Sequence, residues 1–215
     1  MKKPIKKTPA KNPQKSDPTH ARLAHFLFEI GTLRKVPRVH MQTLLTSDLS
    51  DNIASHSYRV TVIGWILAKL EGVDPYKVVM MCLTHDMGEA RSGDHNWVHK
   101  KYVKIFEDEI AQDQLGTLPF SDLLNISHEY VKRESREAKI AKDADLIDQI
   151  LLLKEYMLQG NVEAGSWLGY GIDPKEQVGD KVKKLSCESA RKIATKILEL
   201  GPSEWWGGIW TNMNR

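Results

Sequence analysis

Apolar side chains recur along this chain at steps of three and four, the spacing that gathers them on one face of a helix. Strict alternation, the mark of a half-buried strand, is nearly absent. HARLAHFLFEIGTLRKV reads as a helix ending near Gly31, and PRVHMQTLLTSDLSDN as a connection closed by capping residues. The next helix runs from about Asn52 to Leu70, with His56, Val60, Ile63 and Leu67 at i, i+4, i+7 and i+11 on its inner face. Asp74-Pro75 opens a third, carried to about Ala90. RSGDHNWVHKK reads as a loop, and helices are expected over 103–114 and 121–132.

A longer helix follows over SREAKIAKDADLIDQILLLKEYML, with small or apolar residues at 138, 141, 144, 152 and 153. QGNVEAGSWLGYGIDPKEQVGD reads as a glycine-rich connection, and CESARKIATKILEL as the closing helix. The pattern predicts an all-α protein without internal repeats. Its organisation would be a tail over 1–18, one helical domain over 19–200, and a Trp-rich segment over 201–215 docked on it.

Charge changes this picture only at the N-terminus. The chain of 215 residues is 41% hydrophobic and 27% charged, with a formal net charge of +3. Of its 31 basic and 28 acidic side chains, residues 1–17 hold six lysines and one acid, which leaves 25 against 27 for the body, near −2. A basic stripe for reading nucleic acid is not expected on such a body. The tail has too few apolar residues to offset its ordering entropy and reads as a disordered, solubilising extension. It lacks the apolar core of a secretory signal. The longest apolar run, VTVIGWILAKL, is too short to span a bilayer. Cys82 and Cys187 form no zinc or redox spacing, and the expected setting is a reducing cytoplasm.

The candidate chemistry lies in CLTHDMGEARSGD. On one straight helix Cys82, His85, Asp86 and Glu89 would share a face, at i, i+3, i+4 and i+7. An inward-facing His and carboxylate need partners, either a hydrogen-bond network or a metal. His56 on the preceding helix and Asp145 in AKDADLIDQ are the candidates to complete a metal site. Two imidazoles and two carboxylates suit one divalent ion, Mn²⁺, Co²⁺, Fe²⁺, Zn²⁺ or Mg²⁺, with positions left for water and a phosphate oxygen. Cys82 reads as a small buried hydrophobe. Asp143 and Asp148 are expected on other faces, solvated or paired. His95 and His99 are expected at the rim, and Trp205, Trp206 and Trp210 as docking residues.

The order His56, His85-Asp86, Asp145 on helices resembles the HD-domain superfamily of metal-dependent phosphohydrolases. ASHSYRVTVIGWILA, CLTHDMGEARSGD and SREAKIAKDADLIDQILLLKEYM are similar to its branch of bacterial 5′-deoxynucleotidases and HD-domain-containing protein 2, over roughly residues 20–200. The resemblance implies a compact helical bundle, often homodimeric, with one divalent ion on His56, His85, Asp86 and Asp145. It implies roles for Glu89 and Asp94 with the attacking water and the leaving oxygen, and nucleoside 5′-monophosphates as substrates. Lys35 and Arg38 match the basic positions of LRKVPRVHM and are expected at the phosphate, although the aromatic that often follows is missing. The chain also departs from the branch at HNWVH. Two other functions stay open: hydrolysis of another phosphorylated small molecule, and a non-catalytic metal- or nucleotide-binding module.

Overall fold

The computed structural model describes residues 18–170, 181–209 and 213, so the N-terminal tail and Trp210 lie outside it. Its helices are α1 Pro18–Ile30, α2 His40–Thr43, α3 Ile53–Glu71, α4 Pro75–Thr84, α5 Glu89–Ser92, α6 Trp97–Tyr102, α7 Glu107–Gln114, α8 Asp122–Lys132, α9 Arg136–Leu158, α10 Val162–Trp167 and α11 Glu188–Glu199. The described residues also include the 3₁₀ turns Gly31–Lys35 and Glu204–Trp206. Among the described residues there is no strand, only an isolated bridge between Pro37 and Asn52. The expected all-α class holds. No described helix is long and apolar enough to cross a membrane.

Local chemistry sets the ends of α3 and α4. The Asn52 side chain accepts from the Ser55 amide while Ser55 Oγ accepts from the Asn52 amide, a reciprocal cap on α3. Gly72 ends that helix in the left-handed conformation, at φ 66°. Asp74 then caps α4, with Pro75 in its first turn.

The two helices approach closely because Gly64 has no side chain. A Cβ there would fall 2.5 Å from Cys82 Sγ and 3.1 Å from Val78 Cγ1. Helix α9 lies against both, and Val60, Ile63, Leu67, Val78, Met81, Ala141, Ala144 and Ile147 share one buried cluster. Each fully buried Leu or Ile in it contributes roughly 1.5–3 kcal/mol. Ala190 and Ala194 bring α11 onto the same core. A second cluster joins Phe26, Leu33, Ile53 and Met87 to Leu115, and a third joins Leu44, Leu153 and Tyr156 to Trp167.

Three expectations about elements are corrected. The helix predicted to reach Ala90 stops at Thr84, because the chain tightens from i−4 to i−3 bonding there. Met87 N donates to Thr84 O and Glu89 N to Asp86 O. The stretch read as a loop contains α6, capped by Asn96 Oδ1, which accepts from the Val98 and His99 amides. Residues 103–106 are consequently not helical, and the following helix starts at Glu107. Helix α10 interrupts the glycine-rich connection, where Asn161 supplies a cap and Trp167 a buried anchor.

At the C-terminal end, Trp205 and Trp206 pack edge to face, with centroids 5.0 Å apart. Trp205 lines a groove with Leu151 of α9 and Ile197 of α11. Even so, Trp205 is 73% exposed and Trp206 49%.

Candidate metal centre

The close packing of α3 on α4, crossed by α9, brings three segments of the chain to one point. His56 comes from the first turn of α3, His85 and Asp86 from the tight turn after α4, and Asp145 from the middle of α9. One ligand atom from each of His56, His85 and Asp86 lies within 4.8 Å of the other two. The two Nε2 atoms are 3.3 Å apart. Asp86 Oδ2 is 3.4 Å from His56 Nε2 and 3.1 Å from His85 Nε2. Asp145 Oδ1 reaches the group at its edge, 3.4 Å from His56 Nε2, while its other oxygen accepts from Lys142 Nζ at 2.6 Å.

Which nitrogen of each ring faces the centre is set from behind. His56 Nδ1 donates to Asp148 Oδ2 at 2.6 Å, and His85 Nδ1 donates to the Cys82 carbonyl at 2.8 Å. Both rings thus present the Nε2 lone pair to the same point, beside two carboxylates. Three acceptors converging without a donor, with Asp145 Oδ1 beside His56, repel one another, and a cation between them removes the repulsion. Separations of 3.1–3.4 Å also suit donors sharing one ion at about 2.1 Å, whose edges run to roughly 3.0–3.4 Å. The residues fit a divalent ion.

Electrostatics agree. Burial opposes charge on His56, but hydrogen bonds to Asp145, Asp148 and Asp86 outweigh it and raise its pKa well above the usual imidazole value. Burial likewise works against charge on Asp86, yet the His85 charge and hydrogen bonds from His56 and His85 hold it lowered. Asp145 is lowered against burial, chiefly by Lys142. Without an ion, the centre draws a proton to His56, which satisfies the carboxylates around it. A bound divalent ion would supply that positive charge instead.

The other expected site residues separate. Glu89 lines the cavity in front of the centre, a space of about 590 Å³. Its Oε2 is buried without a hydrogen-bond partner. Burial, with Asp86 and Asp94 nearby, pushes its pKa up to about 9. Asp94 also lines the cavity, and its Oδ2 accepts from the Val39 amide at 2.7 Å and stands 3.7 Å from Arg38 Nε. Arg38 is buried, with Nη1 3.8 Å from Asp86 Oδ2. Lys35 is exposed and is not among the residues lining the cavity. His95 lines the cavity and donates from Nδ1 to the Gly93 carbonyl at 3.1 Å, with the His99 ring 5.5 Å from its own.

Asp148, expected on another face of α9, faces His56. It stands at i+3 from Asp145 and so shares its side of α9, a spacing visible in the sequence. Arg59 holds its other oxygen at 2.5 Å and Glu155 at 2.8 Å, which makes a row behind His56 that runs from buried Asp148 to half-exposed Arg59 and Glu155. Asp143 is buried too, but faces α11 and accepts from the Ser186 and Cys187 amides, each at 2.8 Å. Both aspartates are paired, and neither is solvated. Cys82 is fully buried, as expected, and burial raises its thiol pKa. His40, not singled out in the sequence, accepts at Nε2 from Arg38 at 3.2 Å and from Gln149 at 3.3 Å. Burial and Arg38 lower its pKa to about 4.

Comparison with known proteins supports the same reading. The HD-domain family model matches residues 30–189. The chain is 28% identical to the 5′-deoxynucleotidase HDDC2 of Dictyostelium discoideum over 125 residues, 52% of this chain and 66% of that protein. It is 28% identical to the human protein of the same name over 140 residues, 62% of this chain and 68% of that one. The matched stretch therefore spans about two thirds of these relatives. Among solved structures, a conserved hypothetical protein of Pyrococcus furiosus superposes with a TM-score of 0.65 at 25% identity, covering 82% of this chain and 99% of that one.

Proposed function

Since the chain belongs to the HD-domain family, we propose that it is a metal-dependent phosphomonoesterase that releases phosphate from nucleoside 5′-monophosphates, the deoxy forms included. The observation that carries this reading is the pair of imidazoles whose Nε2 atoms are turned to one point by Asp148 and the Cys82 carbonyl. The HDDC2 relatives support the choice of substrate.

His56, His85, Asp86 and Asp145 would hold the ion. When bound, it would acidify a water and polarise a phosphate oxygen. The chain's own groups do the rest. Glu89, kept protonated by burial and by its acidic neighbours, holds a proton at the cavity wall and donates it to the departing ester oxygen. Asp94 fixes the backbone at Val39 and faces Arg38, which keeps that guanidinium in the cavity. Arg38 offsets the charge of the acidic cluster and draws the phosphate dianion inward. Displacement in this reading is direct, by water: the Cys82 thiol is buried and held protonated and is not a nucleophile.

The test is phosphate release from ribo- and deoxyribonucleoside 5′- and 3′-monophosphates, using metal-stripped protein resupplied with Mn²⁺, Co²⁺, Mg²⁺ or Zn²⁺. Release confined to 5′-monophosphates, dependent on metal and absent in Asp86→Ala, is the expected result. Equal release by Asp86→Ala would sink the assignment.

A further inference from the structure

Arg133 ends α8 in the left-handed backbone region, at φ 57°. Gly or Asn is the ordinary occupant of that position, and a long side chain there is strained. Its guanidinium carbon lies 3.7 Å from the centroid of the Tyr130 ring. The same ring meets His85 edge-on, with centroids 5.5 Å apart. Arg133 therefore stands one aromatic ring away from a ligand-bearing imidazole, in the wall of the same cavity.

Its charge is not consumed there. Arg38 faces Asp86 and Asp94, and Lys142 is held by Asp145. Arg133 Nη1 is buried without a hydrogen-bond partner, as are Nε and Nη1 of Arg38. Arg38, however, has Asp86 at 3.8 Å and Asp94 at 3.7 Å, whereas the Arg133 guanidinium meets the Tyr130 ring. A guanidinium nitrogen taken out of water without an acceptor is costly. Strained backbone beside an unsatisfied donor is the kind of arrangement that a bound ligand repays.

We propose that Arg133 is a second arginine, beside Arg38, by which this cavity recognises the phosphate of its substrate. Its planar fork, backed by Tyr130, donates to the non-bridging oxygens of a phosphomonoester. The proposal rests on the phosphomonoesterase reading and assigns to Arg133 the anion contact that exposed Lys35 does not make from its place outside the cavity.

The test is calorimetric titration of inorganic phosphate, and of a nucleoside 5′-monophosphate, into the metal-reconstituted full chain. Wild type is compared with Arg133→Gly and Arg133→Lys. Glycine suits the left-handed backbone, so Arg133→Gly keeps the fold and melts at or above the wild-type temperature. The expected result is at least a tenfold weaker phosphate affinity in Arg133→Gly, partly restored in Arg133→Lys, with metal content unchanged. Equal affinity in wild type and Arg133→Gly overturns the proposal and leaves the hydrolase reading standing. Weaker affinity that only tracks lost metal also overturns it. If wild type binds neither ligand, the reading and the proposal fall together.

Discussion

Asp148 accepts from His56 Nδ1 at 2.6 Å, and that one hydrogen bond decides which nitrogen of His56 faces the metal centre. Arg59, three residues along α3, grips the other oxygen of the same carboxylate. Asp148→Asn, free to turn its amide NH₂ toward His56, is expected to weaken divalent-metal affinity by about 10–100-fold. Arg59→Ala should weaken it less, since the His56 contact survives. Metal affinities measured by competition with a chelating dye check both.

The approach of α3 to α4 depends on Gly64. Gly64→Ala places a methyl 2.5 Å from Cys82 Sγ, and the expected cost is about 1–3 kcal/mol, read as a lowered urea midpoint. Adding Cys82→Ala removes the nearest clashing atom. The double variant should therefore be more stable than the sum of the two single changes.

Glu89 makes the metal-free protein sensitive to alkali. Its pKa is about 9 in the folded chain against an ordinary value of 4.5, so between those values the folded state holds a proton that the unfolded state has lost. Stability linked to this group is complete below the unfolded value and is lost as pH rises toward the folded one. Glu89→Gln removes the dependence. With metal stripped, the variant should match wild type near pH 4.5 and exceed it by a few kcal/mol near pH 8, as measured by thermal melts at both values. A constant difference across that range would contradict the burial argument for Glu89.

Chelation should act on the fold as well as on activity. An ion that binds only the folded chain stabilises it by about 2.7 kcal/mol at a hundred times its dissociation constant. The melting temperature should fall on treatment with a chelator and recover on adding Mn²⁺. His85→Ala should show neither change.

Much of this architecture is written in residue spacing. His56, Val60, Ile63 and Leu67 lie on one buried face of α3, as their intervals require. Asp145 and the His85-Asp86 pair are recognisable from order and residue type. The fold then supplies what spacing along a straight helix does not. The turn at His85–Gly88 arises from backbone bonds that no hydrophobic pattern encodes. Helices α6 and α10 are too short to show periodicity, and only their Asn caps mark them. Lys35 and Arg38 look equivalent in LRKVPRVHM, but the 3₁₀ turn ends at Lys35 and leaves it in solvent, while Arg38 is buried facing Asp86 and Asp94. Asp148 was within reach of sequence reasoning, at i+3 from Asp145. Arg133 was not, because its role depends on a backbone angle and on a ring that only the fold brings together.

The most direct measurement is a calorimetric titration of metal-free protein with Mn²⁺, in wild type and in His85→Ala. One ion per chain is expected in wild type and none in the variant. The same stoichiometry and affinity in both would show that the imidazoles facing each other across 3.3 Å do not hold the ion, and the centre would have to be sought elsewhere.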